Sequence, residues 1–321
     1  MLYSLLHYPA KLALLIWCRH IKINNKNILK YNGPLLIAAN HPNSFLDAIL
    51  LCALFKQPIY SLARGDVFKN KTVAKILHSL KMFPVYRVSE GVQNLEENYK
   101  TFADCIEVFK QNGIVLIFSE GRCVNEWQLR PLKKGTARLA IAAWEQGIPL
   151  QVIPLGINYQ SFTSFGKNII LNFGDAICSS IINVFDSNTQ GANIQKFNEG
   201  LKLQLQQLVF EIPSSFKLKI VKTFIARNNA IKIILLFIPA FLGYILHAPL
   251  YIPIQKFCYS KFSKIDHYDS VMVGMLFLLY PIYLLLFAVG LFLCTNNYFS
   301  FFSLVVLPSF AWSFVQLKKQ F

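Results

Sequence analysis

Between residues 33 and 210 the chain alternates short apolar runs with amphipathic stretches; beyond 230 the apolar runs grow long. Pro34-Leu35-Leu36-Ile37-Ala38-Ala39 is continuously apolar, the pattern of a strand buried on both faces. Runs at 58–63, 82–87, 113–118, 150–159 and 168–173 also read as strands. Segments 44–55, 92–111 and 133–146 carry the helical period, and Gly147 follows the last as a C-terminal cap. Residues 196–210 read as a closing amphipathic helix, stopped by Pro213. This alternation predicts an α/β fold, a sheet covered by helices.

The two ends read differently. Residues 1–17 are apolar but interrupted by His7, Pro9 and Lys11, and are followed by Arg19, His20, Lys22 and Lys26. A cleaved leader carries its charge before the apolar run, and this run is slightly short for a span. Residues 1–30 are therefore expected to be a membrane-interacting segment, an interfacial helix with a basic tail on anionic headgroups. A catalytic domain is expected over 31–215, and a membrane region over 216–321 with apolar runs at 231–254, 271–294 and 299–315. Pro239, Pro249 and Pro253 lie in or beside the first run. Basic residues flank all three runs: Lys217 to Lys232 before the first, Lys256 to Lys264 after it, Lys318 and Lys319 at the end. The positive-inside rule then favours a first segment that dips in and returns, followed by a spanning hairpin, over three full spans.

Composition sharpens this. Hydrophobic residues make up 54% and charged ones 15%, where an average soluble domain has about 25% charged. The formal net charge is +16, which suits an anionic partner. Basic helices with interleaved aromatics are absent, so the expected partner is membrane lipid and not nucleic acid. Seven cysteines, an odd and scattered set without zinc spacing, read as reduced thiols, and no metal is expected.

The candidate chemistry sits at the end of the first strand, in Asn40-His41-Pro42-Asn43-Ser44-Phe45-Leu46-Asp47. An imidazole near its unperturbed pKa can take a proton from a hydroxyl at neutral pH, and a nearby carboxylate can fix its tautomer. Three further segments follow: Ala63-Arg64-Gly65-Asp66-Val67-Phe68 with Phe83-Pro84-Val85-Tyr86-Arg87, then Phe118-Ser119-Glu120-Gly121-Arg122, then Val152-Ile153-Pro154-Leu155-Gly156. In this order the four blocks resemble those of the glycerolipid acyltransferases, the lysophosphatidic acid acyltransferase superfamily.

The resemblance implies a glycerolphosphate-acyltransferase-like mixed sheet flanked by helices. It implies transfer of an acyl group from acyl-CoA or acyl carrier protein, as co-substrate and with no cofactor, to 1-acyl-glycerol 3-phosphate. Glycerol 3-phosphate or another lysophospholipid is the alternative acceptor, and a non-catalytic membrane scaffold the alternative role. His41 would be the general base and Asp47 its orienting carboxylate; Asn43, shared with some members, would contact substrate. Arg87 would bind the acceptor phosphate, with Arg64 a second candidate. Glu120, Gly121, Arg122, Lys133 and Lys134 would also contact substrate. The catalytic domain would face the cytoplasm. Two departures stand out. Five residues separate His41 from Asp47 where most members have four, so one must be absorbed at the junction; and Ser119 replaces a proline, with arginine directly after the glycine.

Overall fold

The computed structural model describes residues 2–86, 95–181, 190–212, 223–224 and 230–318. Seven strands form one sheet: β1 (Cys18–Ile23), β2 (Leu35–Ala39), β3 (Ile59–Arg64), β4 (Met82–Val85), β5 (Ile114–Phe118), β6 (Gln151–Tyr159) and β7 (Lys167–Phe173), in the order β1-β7-β6-β2-β5-β3-β4. From β6 to β4 neighbouring strands run parallel. β7 runs antiparallel to β6, and β1 parallel to β7, so the sheet is mixed. Six helices accompany it: α1 (Leu2–Trp17), α2 (Phe45–Leu54), α3 (Lys71–Ser79), α4 (Leu95–Lys110), α5 (Gly135–Glu145) and α6 (Gln190–Leu208).

The central strand shows why the apolar run is unbroken. All five β2 residues are fully buried. Leu35, Ile37 and Ala39 pack with α1 and α2 residues such as Leu14 and Leu50. Leu36 and Ala38 pack on the opposite face with Phe109 of α4, Leu139 of α5 and Phe197 of α6. Alternate side chains thus serve two cores, and each buried leucine contributes about 1.5–3 kcal/mol. The end of α6 lies directly on β6. A Cβ on Gly156 would stand 2.3 Å from the Leu208 carbonyl oxygen, so only glycine permits the approach. That carbonyl accepts hydrogen bonds from the Asn158 and Asn172 side-chain amides at 3.0 and 2.9 Å.

The basic segment after the first helix is not a tail. Residues 18–23 form the edge strand β1, and Arg19 is buried, its guanidinium donating to the Lys318 carbonyl at 3.0 Å. An alternating Cys-Arg-His-Ile-Lys-Ile segment can present an inner face to the sheet and a charged face outward, and a paired neighbour strand made that the stable choice.

Beyond the sheet lie α7 (Ala230–Phe262), α8 (Tyr268–Thr295) and α9 (Ser303–Leu317); α7, α8 and the stretch Tyr298–Leu317 are long and apolar enough to cross a membrane. Helix α7 is continuous through Pro239, Pro249 and Pro253, where a broken dip was expected. Its partners show two directions all the same. In the first half Lys232 reaches Gln316, and Gly243 and Tyr244 meet Phe310 and Phe314 of α9. In the second half Leu246 and His247 meet Tyr283 and Tyr280 of α8, then Cys258 meets Met275. α8 starts at Lys167 and α9 ends at Gly166, so those two helices oppose one another. α7 therefore runs out beside α9 and returns beside α8. Extra polar partners sit at the bend: the Tyr283 hydroxyl donates to the Leu246 carbonyl, and His247 Nδ1 lies 2.8 Å from the Gly243 carbonyl.

Candidate active site

The catalytic segment leaves β2 between its two neighbours, and Asn40 continues the pairing with its side chain. Its amide nitrogen donates to the Ile157 carbonyl at 3.1 Å and its oxygen accepts from the Ile157 N–H at 2.7 Å. His41 is thereby delivered at the carboxyl end of the sheet, where ligands bind in open α/β folds. Ser44, at the start of α2, adopts φ 52° and ψ −141°. This left-handed corner absorbs the additional residue and brings Asp47 back to His41. For a non-glycine residue it costs about 1–3 kcal/mol, and the surroundings must hold it. The Ser44 N–H donates to Cys123 Sγ at 2.9 Å and its hydroxyl lies 2.7 Å from His267 Nδ1.

The result is a closed pair. His41 Nδ1 lies 2.8 Å from Asp47 Oδ2, with the imidazole 18% exposed and the carboxylate fully buried. The same oxygen accepts the Asn43 N–H at 2.8 Å. The imidazole stacks on Phe118, ring centroids 3.8 Å apart and planes within 9°. With Nδ1 committed to Asp47, Nε2 is the nitrogen left for a proton in transit. The Tyr159 hydroxyl also faces Asp47; burial and that carboxylate push the phenol well above its ordinary pKa.

Glu120 holds this loop from the β5 side. One oxygen accepts the His41 N–H and the other the Arg130 N–H, each at 2.9 Å. Burial raises its carboxyl pKa, partly offset by those two amides. Ser119, in the proline's place, ties the turn to α5 by bonding Thr136 at 3.0 Å and accepting the Lys133 N–H at 2.8 Å. Gly121 has φ 63°, and the Lys133 stem stands 3.0 Å from where its Cβ would be. Arg122, Lys133 and Lys134 are exposed around that turn. Arg64 is exposed at the end of β3 and pairs with Asp66. Tyr86 packs on Gly65, where a Cβ would strike its ring, so these two segments meet. Arg87 lies outside the described residues.

Burial, chiefly, pushes the Cys123 thiol up, and its sulfur accepts the Ser44 N–H. Among the described residues no three His, Cys, Asp or Glu side chains gather as metal ligands.

Sequence reasoning missed the contribution of the C-terminal region. Asp266 accepts the Asn125 N–H at 3.0 Å, His267 meets Ser44, and Asp269 accepts from the Asn43 side-chain amide at 2.7 Å. Buried Lys167 pairs with Asp269 and lies 5.6 and 5.8 Å from the Trp17 and Tyr159 ring centroids. One signal was available: Asp266 and Asp269 are the only acids after Glu211.

A model of the acyltransferase family matches residues 20–158. The 1-acyl-sn-glycerol-3-phosphate acyltransferase of Bacillus subtilis (strain 168) is 28% identical over 121 residues, 37% of this chain and 56% of that protein. The chain thus matches little more than half the length of that relative. The crystal structure of the 1-acyl-sn-glycerophosphate acyltransferase from Thermotoga maritima aligns over 71% of this chain and 81% of that one, at 11% identity and a TM-score of 0.44. The segment that the acyltransferase model matches holds the four motif blocks in order, two of them meeting at the His41–Asp47 pair, and it is in this segment that the chain resembles the acyltransferases.

Proposed function

We propose that the protein is a membrane-bound O-acyltransferase moving a fatty acyl group from acyl-CoA or acyl carrier protein to 1-acyl-glycerol 3-phosphate. The observation that carries this is the His41–Asp47 pair, 2.8 Å apart with the carboxylate buried and the imidazole partly exposed. His41 Nε2 accepts the proton of the acceptor hydroxyl as its oxygen attacks the thioester carbonyl. Collapse of the tetrahedral intermediate expels the thiolate, which takes the proton back from the imidazolium. Asp47 stabilises that imidazolium and Phe118 holds its plane. Glu120 keeps the His41 backbone in place with both its oxygens.

The name of the Bacillus subtilis relative supports the choice of acceptor. Arg122, Lys133 and Lys134 offer cations for its phosphate around the Gly121 turn. Leu5, Tyr8, Leu12 and Leu15 of α1 and Phe45 and Ile49 of α2 are exposed apolar side chains, suited to a lipid surface that presents the acceptor. The basic residues beside α7 and α9 support a cytoplasmic position for the catalytic domain by the positive-inside rule.

The test is acceptor-dependent thiol release by the purified protein from one labelled acyl-CoA. Labelled product is expected with 1-acyl-glycerol 3-phosphate and not with a neutral monoacylglycerol. Product from glycerol 3-phosphate alone would reassign the acceptor, and no acceptor-dependent release would contradict acyl transfer.

A further inference from the structure

We infer that Asp269, carried by the first turn of an apolar C-terminal helix, is a positioning residue for the His41–Asp47 pair. This rests on the acyl-transfer reading above. The connection is continuous and buried. Lys167 at the start of β7 pairs with Asp269; Asp269 accepts from the Asn43 side chain; the Asn43 N–H donates to Asp47 Oδ2; and Asp47 Oδ2 meets His41 Nδ1. Asn43, Asp47, Lys167 and Asp269 are all 0–1% exposed. Asn43 is the pivot, because one residue bonds Asp47 through its backbone and Asp269 through its side chain. Its peptide is aimed at Asp47 by a carboxylate 226 positions away in the chain.

The anchor is rigid. Lys167 lies beside the Trp17 and Tyr159 rings, so α1, β6, β7 and α8 converge on one ion pair. Asp266 and His267, just before α8, grip the neighbouring loops at Asn125 and Ser44. Asn43 lies between Pro42 and the strained corner at Ser44. A chain of charge-assisted hydrogen bonds fixes its side chain there. The C-terminal hairpin is in this way a structural part of the catalytic site as well as an anchor.

Removing one member of a buried ion pair strands the other, so the test uses paired changes. The double variant Asp269→Asn, Lys167→Met keeps an acceptor for Asn43 without a stranded charge. The double variant Asp269→Leu, Lys167→Met fills the site but leaves Asn43 without its partner. In purified protein the leucine pair is expected to lose kcat by about 10²-fold, the scale of a misplaced catalytic group, with KM for both substrates near that of the unaltered protein. The asparagine pair is expected to recover most of that loss. Asn43→Ala cuts the same link while leaving Lys167 and Asp269 paired, and covers the case in which a double variant does not fold. It is expected to lower kcat similarly, with no further loss when combined with the asparagine pair. An unaltered protein that transfers acyl groups beside an Asn43→Ala variant of equal kcat overturns this inference alone. Equal kcat in the leucine and asparagine pairs does the same. An unaltered protein with no acceptor-dependent transfer overturns the functional reading, and this inference with it.

Discussion

The left-handed corner at Ser44 lets Asp47 return to the imidazole across a spacer of five residues. That contact was legible because a histidine and an acid at a strand-to-helix junction suggest a paired imidazole; the corner that permits it was not. Glu120 was legible as a site residue but not in its job, since nothing in Phe-Ser-Glu-Gly-Arg says that both oxygens will meet backbone amides. Its burial has a measurable consequence. A carboxyl whose folded-state pKa is raised holds its proton more tightly in the fold than in the unfolded chain, so its contribution to stability falls as pH rises through the raised value. Glu120→Gln removes that titration. The unaltered protein should therefore lose stability relative to Glu120→Gln as pH rises from about 4.5, the ordinary glutamate value, through the raised one. Chemical denaturation below and above that window reads the difference, and the opposite slope would contradict the burial argument.

At the scale of elements, the strands from β2 to β7 and helices α2, α5 and α6 were legible from period and length. Edge strand β1 was not. Its six residues alternate and carry two cations, Arg19 and Lys22, and only β7 beside it makes them a strand. Helix α7 was legible as a long apolar segment, but not as one helix through its prolines; Tyr283 and the His247 side chain supply additional polar contacts in the turn before Pro249. The path predicts a labelling pattern. Cys258 is buried against Met275, so the probe is Lys264→Cys in a background without other cysteines; Lys264 is exposed between α7 and α8. In sealed vesicles an impermeant thiol reagent should reach it from the face bearing the catalytic domain. Asn296→Cys, at the α8–α9 turn, should label from the opposite face. Labelling of both positions from one face would contradict the out-and-back path of α7 with a spanning hairpin.

At the scale of the molecule, the described sheet domain and the long apolar helices interlock. Arg19 bonds the carbonyl of Lys318, Lys318 bonds that of Phe165, and Asp269 is buried beside Lys167. The C-terminal helices long and apolar enough to cross a membrane were legible from composition. The interlock was not, because it depends on contacts between residues some hundred to three hundred positions apart. The proposed function unites these levels in one claim, that the fold holds His41 as a general base beside a lipid surface. The most direct test is turnover of His41→Ala in purified, folded protein, with acceptor-dependent release of coenzyme A as the signal. The account predicts a loss of about 10²–10⁴-fold with thermal stability retained. A rate near that of the unaltered protein would contradict it.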